Sequence, residues 1–113
     1  MDITISTNIT FLGCSNGTIF DFHNNNIGMM NLKYASNKIN TFTMKNIIIQ
    51  NFYNKDDAIG LSAFYFNSNN YNFYFIGKNC TFQNNNSKLF YFQVSTNYQT
   101  PNGPQVIFDD CKF

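Results

Sequence analysis

Short segments of this chain alternate between apolar and polar residues, and clusters of Asn, Ser and Gly separate them. In residues 20–22, 64–66 and 90–92, two phenylalanines flank one aspartate or tyrosine. A period of two residues is typical of a half-buried β-strand, because successive side chains point to opposite faces. We therefore expect the phenylalanines to face a core and the residue between them to face outward. Residues 29–35 fit either a helical turn or a further strand, and we favour the strand.

A second set of apolar segments recurs at a nearly constant spacing. The same position in the four copies is held by Cys14, Ile47, Cys80 and Cys111, at intervals of 33, 33 and 31 residues. We interpret the third copy as carrying two extra residues, Ile76 and Gly77. Self-similarity at a fixed period is the sequence signature of a solenoid, in which each repeat stacks on the previous one. The chain is therefore predicted to be all-β, a right-handed parallel β-helix of about three to four rungs.

Many short strands at regular spacing also suit a two-sheet sandwich. The nearly fixed repeat length of 31–33 residues favours the β-helix over this alternative. The intervening clusters, such as residues 24–26 and 84–87, supply turns, because Asn and Gly tolerate a left-handed backbone. Residues 1–113 are expected to form a single β-helix domain or a fragment of a longer β-helix.

Charge and composition argue against several classes of partner. The formal net charge is +1, charged residues make up 12% of the chain, and arginine is missing from the sequence. A chain without a strong field or guanidinium groups is not expected to bind nucleic acid. No apolar run approaches the ~18–20 residues of a membrane helix. The first residues lack the basic and apolar regions of a signal peptide.

Residues 79–86 read Asn-Cys-Thr-Phe-Gln-Asn-Asn-Asn, and a Leu-Phe-Tyr-Phe segment follows at 89–92. This stretch resembles the rungs of pectin-lyase-like right-handed β-helix proteins. It is especially similar to the polymorphic-membrane-protein type of surface repeat, with its Asn-Cys-x-Phe-x-Asn-Asn signature. Residues 110–113 resemble a truncated second copy, and the segments at Cys14 and Ile47 resemble weaker ones. The resemblance implies the architecture and an extracellular or cell-surface location, and it implies no particular activity.

Equivalent residues of successive parallel rungs are expected to stack ~4.8 Å apart in columns. One inward column is predicted to contain Cys14, Ile47, Cys80 and Cys111. The preceding position holds Asn46 and Asn79, whose side chains we expect to bond the backbone and each other at a bend. Cys80 and Cys111 are close enough in this scheme to form a disulfide, but we favour reduced thiols.

Candidate catalytic and metal-binding residues are few. The adjacent acids Asp109 and Asp110 resemble the paired acids of β-helix polysaccharide hydrolases, but neighbours on a strand point to opposite faces. The only histidine, His23, lies remote in sequence from these acids and is interpreted as a solvated turn residue. The three cysteines contain no Cys-x-x-Cys pair. We therefore expect no catalytic residue, no cofactor and no metal site.

Four Asn-x-Ser/Thr sequons occur in the sequence. About three are expected by chance in a chain so rich in Asn, so their number is weak evidence for secretion. Asn8, Asn16 and Asn85 are the candidate glycosylation sites. We favour Asn85 because it follows a strand in a turn, whereas Asn79 is expected to pack in its column.

Three tyrosines form a candidate binding surface. Tyr65 and Tyr91 are expected to stack on an outer face beside Asp21, with Tyr74 on the neighbouring sheet. Exposed tyrosine rings suit a sugar or a protein partner. The alternative is ordinary packing between neighbouring strands.

The function that these features favour is a non-enzymatic structural or adhesive module of a surface or extracellular protein, or of a fibrous assembly. Both ends of a short stack expose backbone donors and acceptors, and no polar cap is recognisable. The expected partners are other protein chains or the rest of a longer β-helix. A carbohydrate-binding module and a degenerate polysaccharide lyase or hydrolase are the alternatives.

Overall fold

A computed structural model describes residues 1–35, 38–55, 61–71, 73–95 and 103–113, and within them it contains eleven strands and no helix. The strands are β1 (Asp2–Ile5), β2 (Ile9–Leu12), β3 (Thr18–Asn25), β4 (Met30–Tyr34), β5 (Asn40–Lys45), β6 (Ile47–Phe52), β7 (Phe64–Ser68), β8 (Phe73–Lys78), β9 (Thr81–Gln83), β10 (Phe90–Val94) and β11 (Val106–Asp109). Every pairing between these strands is parallel. The sandwich alternative is therefore wrong, because hairpin-connected sandwich strands pair antiparallel.

The strands wind into three parallel sheets, and the described residues form a β-solenoid of about three turns, as the repeat spacing predicts. The first sheet has the order β1-β4-β7-β10, the second β2-β5-β8-β11 and the third β3-β6-β9. Each full turn contributes one strand to each sheet. A further turn starts with β10 and β11, and Lys112 adds a single parallel bridge to Thr81 at the edge of the third sheet.

The second sheet keeps the regular repeat without an insertion. Its register pairs Ile9 with Phe42, Phe42 with Phe75, and Phe75 with Val106. The interpretation of Ile76 and Gly77 as extra residues is wrong, because both lie within the continuous strand β8. Phe73 and Phe75 both point inward. Shifting the register of a strand by two residues keeps the same side chains on the inward face. Alternation alone therefore does not decide whether Phe73 or Phe75 pairs with Phe42.

Residues 20–22 do not share a sheet with residues 64–66 and 90–92. They belong to β3, which pairs with β6 and places Asp21 opposite Gln50. The corresponding position of the first sheet is filled by β4, which confirms the strand favoured for residues 29–35. Asp21 is therefore not beside the tyrosines. The alternation of a segment indicates which face is buried, but it carries no information about which sheet the segment joins.

Cys14 is not part of the inward column. Thr18 pairs with Ile47 in the third sheet, whereas Cys14 is exposed in a turn that precedes β3. The amide of Gly17 donates to the carbonyl of Cys14 (2.9 Å) and closes this turn. Gly17 has a φ of 91°, which a glycine adopts without a steric penalty. The extra residues of this turn displace Cys14 outward. The sequence did not reveal them, because the spacing from Cys14 to Ile47 equals the repeat length.

The interior is filled by inward columns rich in phenylalanine. Phe42, Phe66 and Phe75 are fully buried, and the Phe66 ring lies 5.5 Å from Phe42 and 5.3 Å from Phe75, both edge to face. Such contacts add to the hydrophobic gain of burying each ring. Because the columns run through all turns, each ring in the inner turns is covered by the rungs before and after it.

Candidate functional site

The outward face of the first sheet contains the predicted tyrosine pair. Alternation along its strands directs Leu32 and Phe66 inward and their neighbours outward. The register then aligns two outward columns across the four strands. One column is Asp2, Asn31, Tyr65 and Tyr91, and the other is Thr4, Lys33, Asn67 and Gln93.

Tyr65 and Tyr91 form a stacked pair. Their ring centroids are 5.5 Å apart and their planes differ by 10°. The Tyr65 hydroxyl donates to Oε1 of Gln93, and Nζ of Lys88 lies 5.1 Å from the centroid of the Tyr91 ring. Stacking along the solenoid occupies one face of each ring, so the pair offers mainly its edges, its hydroxyls and the adjacent ammonium group to a ligand.

A groove runs beside this pair, and we call it the tyrosine groove. Its volume is about 720 Å³, and its lining includes Tyr65, Tyr91, Gln93, Leu61 and the loop 26–29. A smaller cavity of about 260 Å³ continues along the same sheet between Asp2 and Asn67. The larger volume lies in the range of ligand-binding clefts, ~300–1,000 Å³. The mixture of aromatic edges and amides gives the groove both apolar surface and hydrogen-bonding groups.

Tyr74 lies on the second sheet, in β8 opposite Thr41, and does not line the tyrosine groove. Its backbone carbonyl accepts a hydrogen bond from the Tyr34 hydroxyl (2.8 Å). Burial raises the pKa of Tyr34, which therefore stays a neutral donor. The three predicted binding tyrosines thus divide into a stacked pair on one sheet and a single residue on another.

The asparagine column lies at the corner between the second and third sheets. Nδ2 of Asn79 donates to Oδ1 of Asn46 (2.9 Å), and Nδ2 of Asn46 donates to the Gly13 carbonyl (3.4 Å). Asn46 and Asn79 have positive φ angles of 58° and 49°, and Asp110 at the next rung has 51°. Asn and Asp adopt this left-handed backbone more readily than most residues. The column therefore shapes the corner and links successive turns.

The cysteines of the remaining inward column are buried to different degrees. Cys80 is buried against Ile47, and its thiol donates weakly to the carbonyls of Met44 (3.5 Å) and Lys78 (3.4 Å). Cys111 is half-buried, and desolvation raises its thiol pKa. A thiol held neutral in this way is a poor nucleophile. Both cysteines are free thiols in the structure.

The candidate acids lie on the surface. Oδ2 of Asp109 lies 3.5 Å from Nζ of Lys78, and both side chains are about half exposed. Asp110 occupies the left-handed corner described above and is exposed. In the parts of the chain that the structure describes, no three His, Cys, Asp or Glu side chains come together as a metal site.

A second polar column, on the third sheet, was missed by sequence reasoning. Nε2 of Gln50 donates to Oδ2 of Asp21 (2.8 Å), and Nε2 of Gln83 donates to Oε1 of Gln50 (2.7 Å). Nδ2 of Asn51 also donates to Asp21 (3.0 Å), and these hydrogen bonds lower the Asp21 pKa to about 2. His23 is exposed beside Asp21. The signal was the Gln-Asn pair at 50–51 that recurs at 83–84.

The candidate glycosylation sites differ in how free their amides are. Asn16 is exposed in the turn before β3, and Asn8 is exposed while its Oδ1 accepts from the Thr41 amide (2.9 Å). Asn85 is half-buried, and its Nδ2 donates to the Ile49 carbonyl (3.1 Å). Because glycosylation modifies Nδ2, Asn16 is a better candidate than Asn85, which reverses the expected order.

The two end faces of the solenoid expose apolar side chains. At the end formed by β10 and β11, Phe108 is 36% exposed and Phe113 is 80% exposed. At the end formed by β1, β2 and β3 there is a cavity of about 450 Å³, and Phe11 and Phe20 contribute to its lining. These strands are the outermost ones in the sheets of the described residues. Sequence reasoning anticipated open ends but did not identify these side chains.

The chain matches no protein-family model, and neither a curated protein nor a solved structure shows significant similarity to it. Among the described residues, no helix has the length and apolar character needed to cross a membrane. The β-solenoid architecture and the local geometry therefore carry the functional argument.

Proposed function

We propose that this chain is a non-enzymatic structural or adhesive module that joins other β-solenoid rungs through its end faces. The proposal includes a right-handed, pectin-lyase-like winding and an extracellular or cell-surface location. It places the module within a larger surface protein or a fibrous assembly. The partner rungs come from other protein chains or from the rest of a longer β-helix.

One observation carries the proposal, namely the exposure of core-type side chains at both ends. Phe108 and Phe113 lie in columns whose inner members, such as Phe82, are buried. Exposed strand edges readily accept further strands unless they are blocked by charges, bulges or a cover. Apolar surface next to unpaired backbone groups gives both the hydrophobic and the hydrogen-bonding contributions that an added rung needs.

Light scattering over a range of protein concentrations tests this proposal. We expect a mass that rises with concentration above the 13.1 kDa of one chain. A Phe113→Lys variant should lose this association, because it places a charge on one end face. Ile39→Lys is the matched control, since Ile39 is 65% exposed and lies just before β5, an inner strand of the second sheet. A constant single-chain mass, or association that persists when a lysine is placed on both end faces, would contradict the proposal.

We propose carbohydrate binding by the tyrosine groove as a second candidate function. The specific support is a groove of about 720 Å³ that combines two tyrosines with amide side chains. Aromatic rings pack against the apolar faces of sugars, while amides and hydroxyls bond the sugar hydroxyls. The stacking of Tyr65 on Tyr91 limits the available ring area, so this candidate stands behind the first.

Binding to an oligosaccharide array tests the second candidate. Tyr91→Ala and Tyr65→Ala should abolish any binding, whereas Tyr74→Ala should leave it unchanged. Tyr74 is the matched control because it is an outward tyrosine on a different sheet. Binding that is lost equally in all three variants would indicate a general loss of structure and not a site in the groove.

The proposed location has its own test. Expression through a secretory pathway should give a chain whose mass falls on treatment with a glycosidase. Asn16→Gln should remove most of this shift, whereas Asn85→Gln should not, because the Asn85 amide is already bonded to the Ile49 carbonyl. Secretion with no glycan at Asn16 would remove the sequons as support for the location.

A further inference from the structure

We infer that the rung added at each end face belongs to a second copy of this chain, docked head to tail in one defined register. This inference rests on the proposed function and specifies its partner. In the resulting interface β10 lies against β1 of the next copy, and β11 lies against its β2. Residues 111–113 lie against residues 18–20.

The two edges of the second sheet present matching apolar residues. Its inward columns begin with Ile9 and Phe11 at one end of the solenoid and finish with Val106 and Phe108 at the other. A copy added with the same register therefore places Ile9 on Val106 and Phe11 on Phe108. Both contacts join apolar side chains that are now partly exposed.

The other two sheets give the same result. In the first sheet the column that ends at Phe92 begins at Ile3. In the third sheet the column that begins at Phe20 continues through Phe82, whose ring stacks on Phe113 at 4.9 Å. One rigid placement of a second copy thus matches apolar residues on all three sheets at once.

The end faces are also complementary in shape. The ring centroids of Phe108 and Phe113 are 5.2 Å apart, and both rings project from one end. The other end holds the cavity of about 450 Å³, whose lining includes Phe11 and Phe20. These two residues begin the columns that Phe108 and Phe113 finish. The projecting pair therefore faces the hollow when the register is continued.

Charge favours the same arrangement on the outer surface. The outward column that ends at Tyr91 begins at Asp2. The continued register brings Asp2 of the next copy to Tyr91, where the Lys88 ammonium already lies 5.1 Å from the ring centroid. A carboxylate is favourable beside this cation. The column that ends at Asp109 begins at Leu12, so no like charges meet there.

Head-to-tail docking continues the parallel pairing of every sheet. Two identical ends would meet with antiparallel strands, and the projecting phenylalanines would then face each other and leave the cavity unfilled. The head-to-tail contact, in contrast, is heterologous, and such a contact does not close on itself unless the rotation forms a ring. The inference therefore predicts open, growing assemblies and not a closed dimer.

Two variants that block opposite ends test the inference. Phe113→Lys blocks one face and Phe20→Lys blocks the other, within the same column. Each variant alone should stay at the mass of one chain. An equimolar mixture should form a species of twice 13.1 kDa and nothing larger, because each chain retains one open face. A chain carrying both substitutions should join neither partner.

The alternatives give different results. A single variant that still dimerises would show contact between identical ends, which overturns this inference and leaves the proposed function in place. Association that ignores both substitutions, or a wild-type chain that never associates, would overturn the proposed function as well. Circular dichroism checks that each variant folds. Val106→Lys with Ile9→Lys provides a second pair in another column, and Ile107→Lys provides the outward control on β11.

The register has a separate test. Asp2→Lys should weaken association, and adding Lys88→Asp in the same chain should restore it. Both residues are exposed, so neither substitution threatens the core. Restoration by the double exchange requires Asp2 of one copy to lie near Lys88 of the next. Weakening by Asp2→Lys without restoration would place the copies in another register.

Discussion

The middle of the solenoid and its ends use the same kind of residue with opposite results. Phe42 and Phe75 are 0% exposed, whereas Phe108 is 36% and Phe113 is 80% exposed. All four occupy inward columns. The difference arises because a ring in a parallel stack is covered only when a rung lies on each side of it. Burial in this fold is therefore a property of the neighbours as much as of the residue.

This comparison explains why the ends are the candidate working surfaces. In a repeat protein each unit contacts only its neighbours, so the terminal units retain an unfilled interface. Burying apolar area contributes roughly 25 cal/mol per Å². The area at Phe108 and Phe113 is available to a partner, whereas the area at Phe42 and Phe75 already stabilises the monomer.

The largest predicted effect is a substitution in the middle of the stack. Phe75→Ala should reduce the free energy of unfolding by about 3–5 kcal/mol, because it leaves a cavity among closely packed rings. The Phe75 ring contacts those of Phe42, Phe66 and Phe108. Chemical denaturation monitored by circular dichroism measures the change. A loss of this size removes much of the stability of a small domain.

Phe113→Ala is the matched change at an end. It should alter the unfolding free energy of the dilute chain far less, because most of this ring is already in water. It should instead reduce association in light scattering. Equal destabilisation by both substitutions would break the comparison, since it would mean that the terminal ring is held as firmly as the central one.

The middle and the ends also differ at the corners. Asn79 has a φ of 49° and bonds the Asn46 side chain, whereas Asp110 has the same left-handed backbone at the last described rung. Asn79→Ala should cost about 1–2 kcal/mol, since alanine is strained in this conformation. It also loses the amide ladder. Asn79→Gly tolerates the backbone and should cost less, because it loses only the side-chain hydrogen bond.

Denaturation of Asn79→Ala, Asn79→Gly and Asp110→Gly measures this second effect. Asp110→Gly should be nearly neutral because its exposed side chain supports no further rung. If Asn79→Gly is as damaging as Asn79→Ala, the side-chain ladder and not the left-handed backbone sets the stability of the corner.

Much of the fold follows from the sequence, because each turn of a solenoid corresponds to one repeat of the sequence pattern. The second sheet could be predicted well, since its segments recur at 33, 33 and 31 residues and pair in that order. The first sheet was harder. Its repeats are spaced unevenly, because the loops between turns differ in length, and β4 lacks the Phe-x-Phe pattern that marks β7 and β10.

The candidate sites were less predictable than the fold. The stacking of Tyr65 on Tyr91 follows from alternation within neighbouring strands. The position of Asp21 does not, because three sheets present the same alternation and only long-range pairing distinguishes them. Cys14 illustrates the same limit, since a turn of extra residues shifted it out of its column while the spacing to Ile47 stayed equal to the repeat.

The smallest predicted effect concerns the outer face of the first turn, at Asp21. Hydrogen bonds from Asn51 and Gln50 hold its pKa at about 2, below the ordinary value of 3.8. A carboxylate whose pKa is lowered by folding stabilises the folded state fully at pH values above its pKa in the unfolded chain. This stabilisation is lost as the pH falls through its pKa in the folded chain. The first turn should therefore loosen between about pH 4 and pH 2, before the middle of the stack.

Amide hydrogen exchange of β3 against β5, measured over this pH range, tests the prediction. Protection in β3 should fall first in the wild-type chain. Asp21→Asn should remove the pH dependence, because an amide does not titrate in this range, and Asp2→Asn serves as the control at a carboxylate of the same turn. If β3 and β5 lose protection together at every pH, the first turn is not a separate, weaker unit, and the distinction between middle and end would apply to side-chain exposure alone.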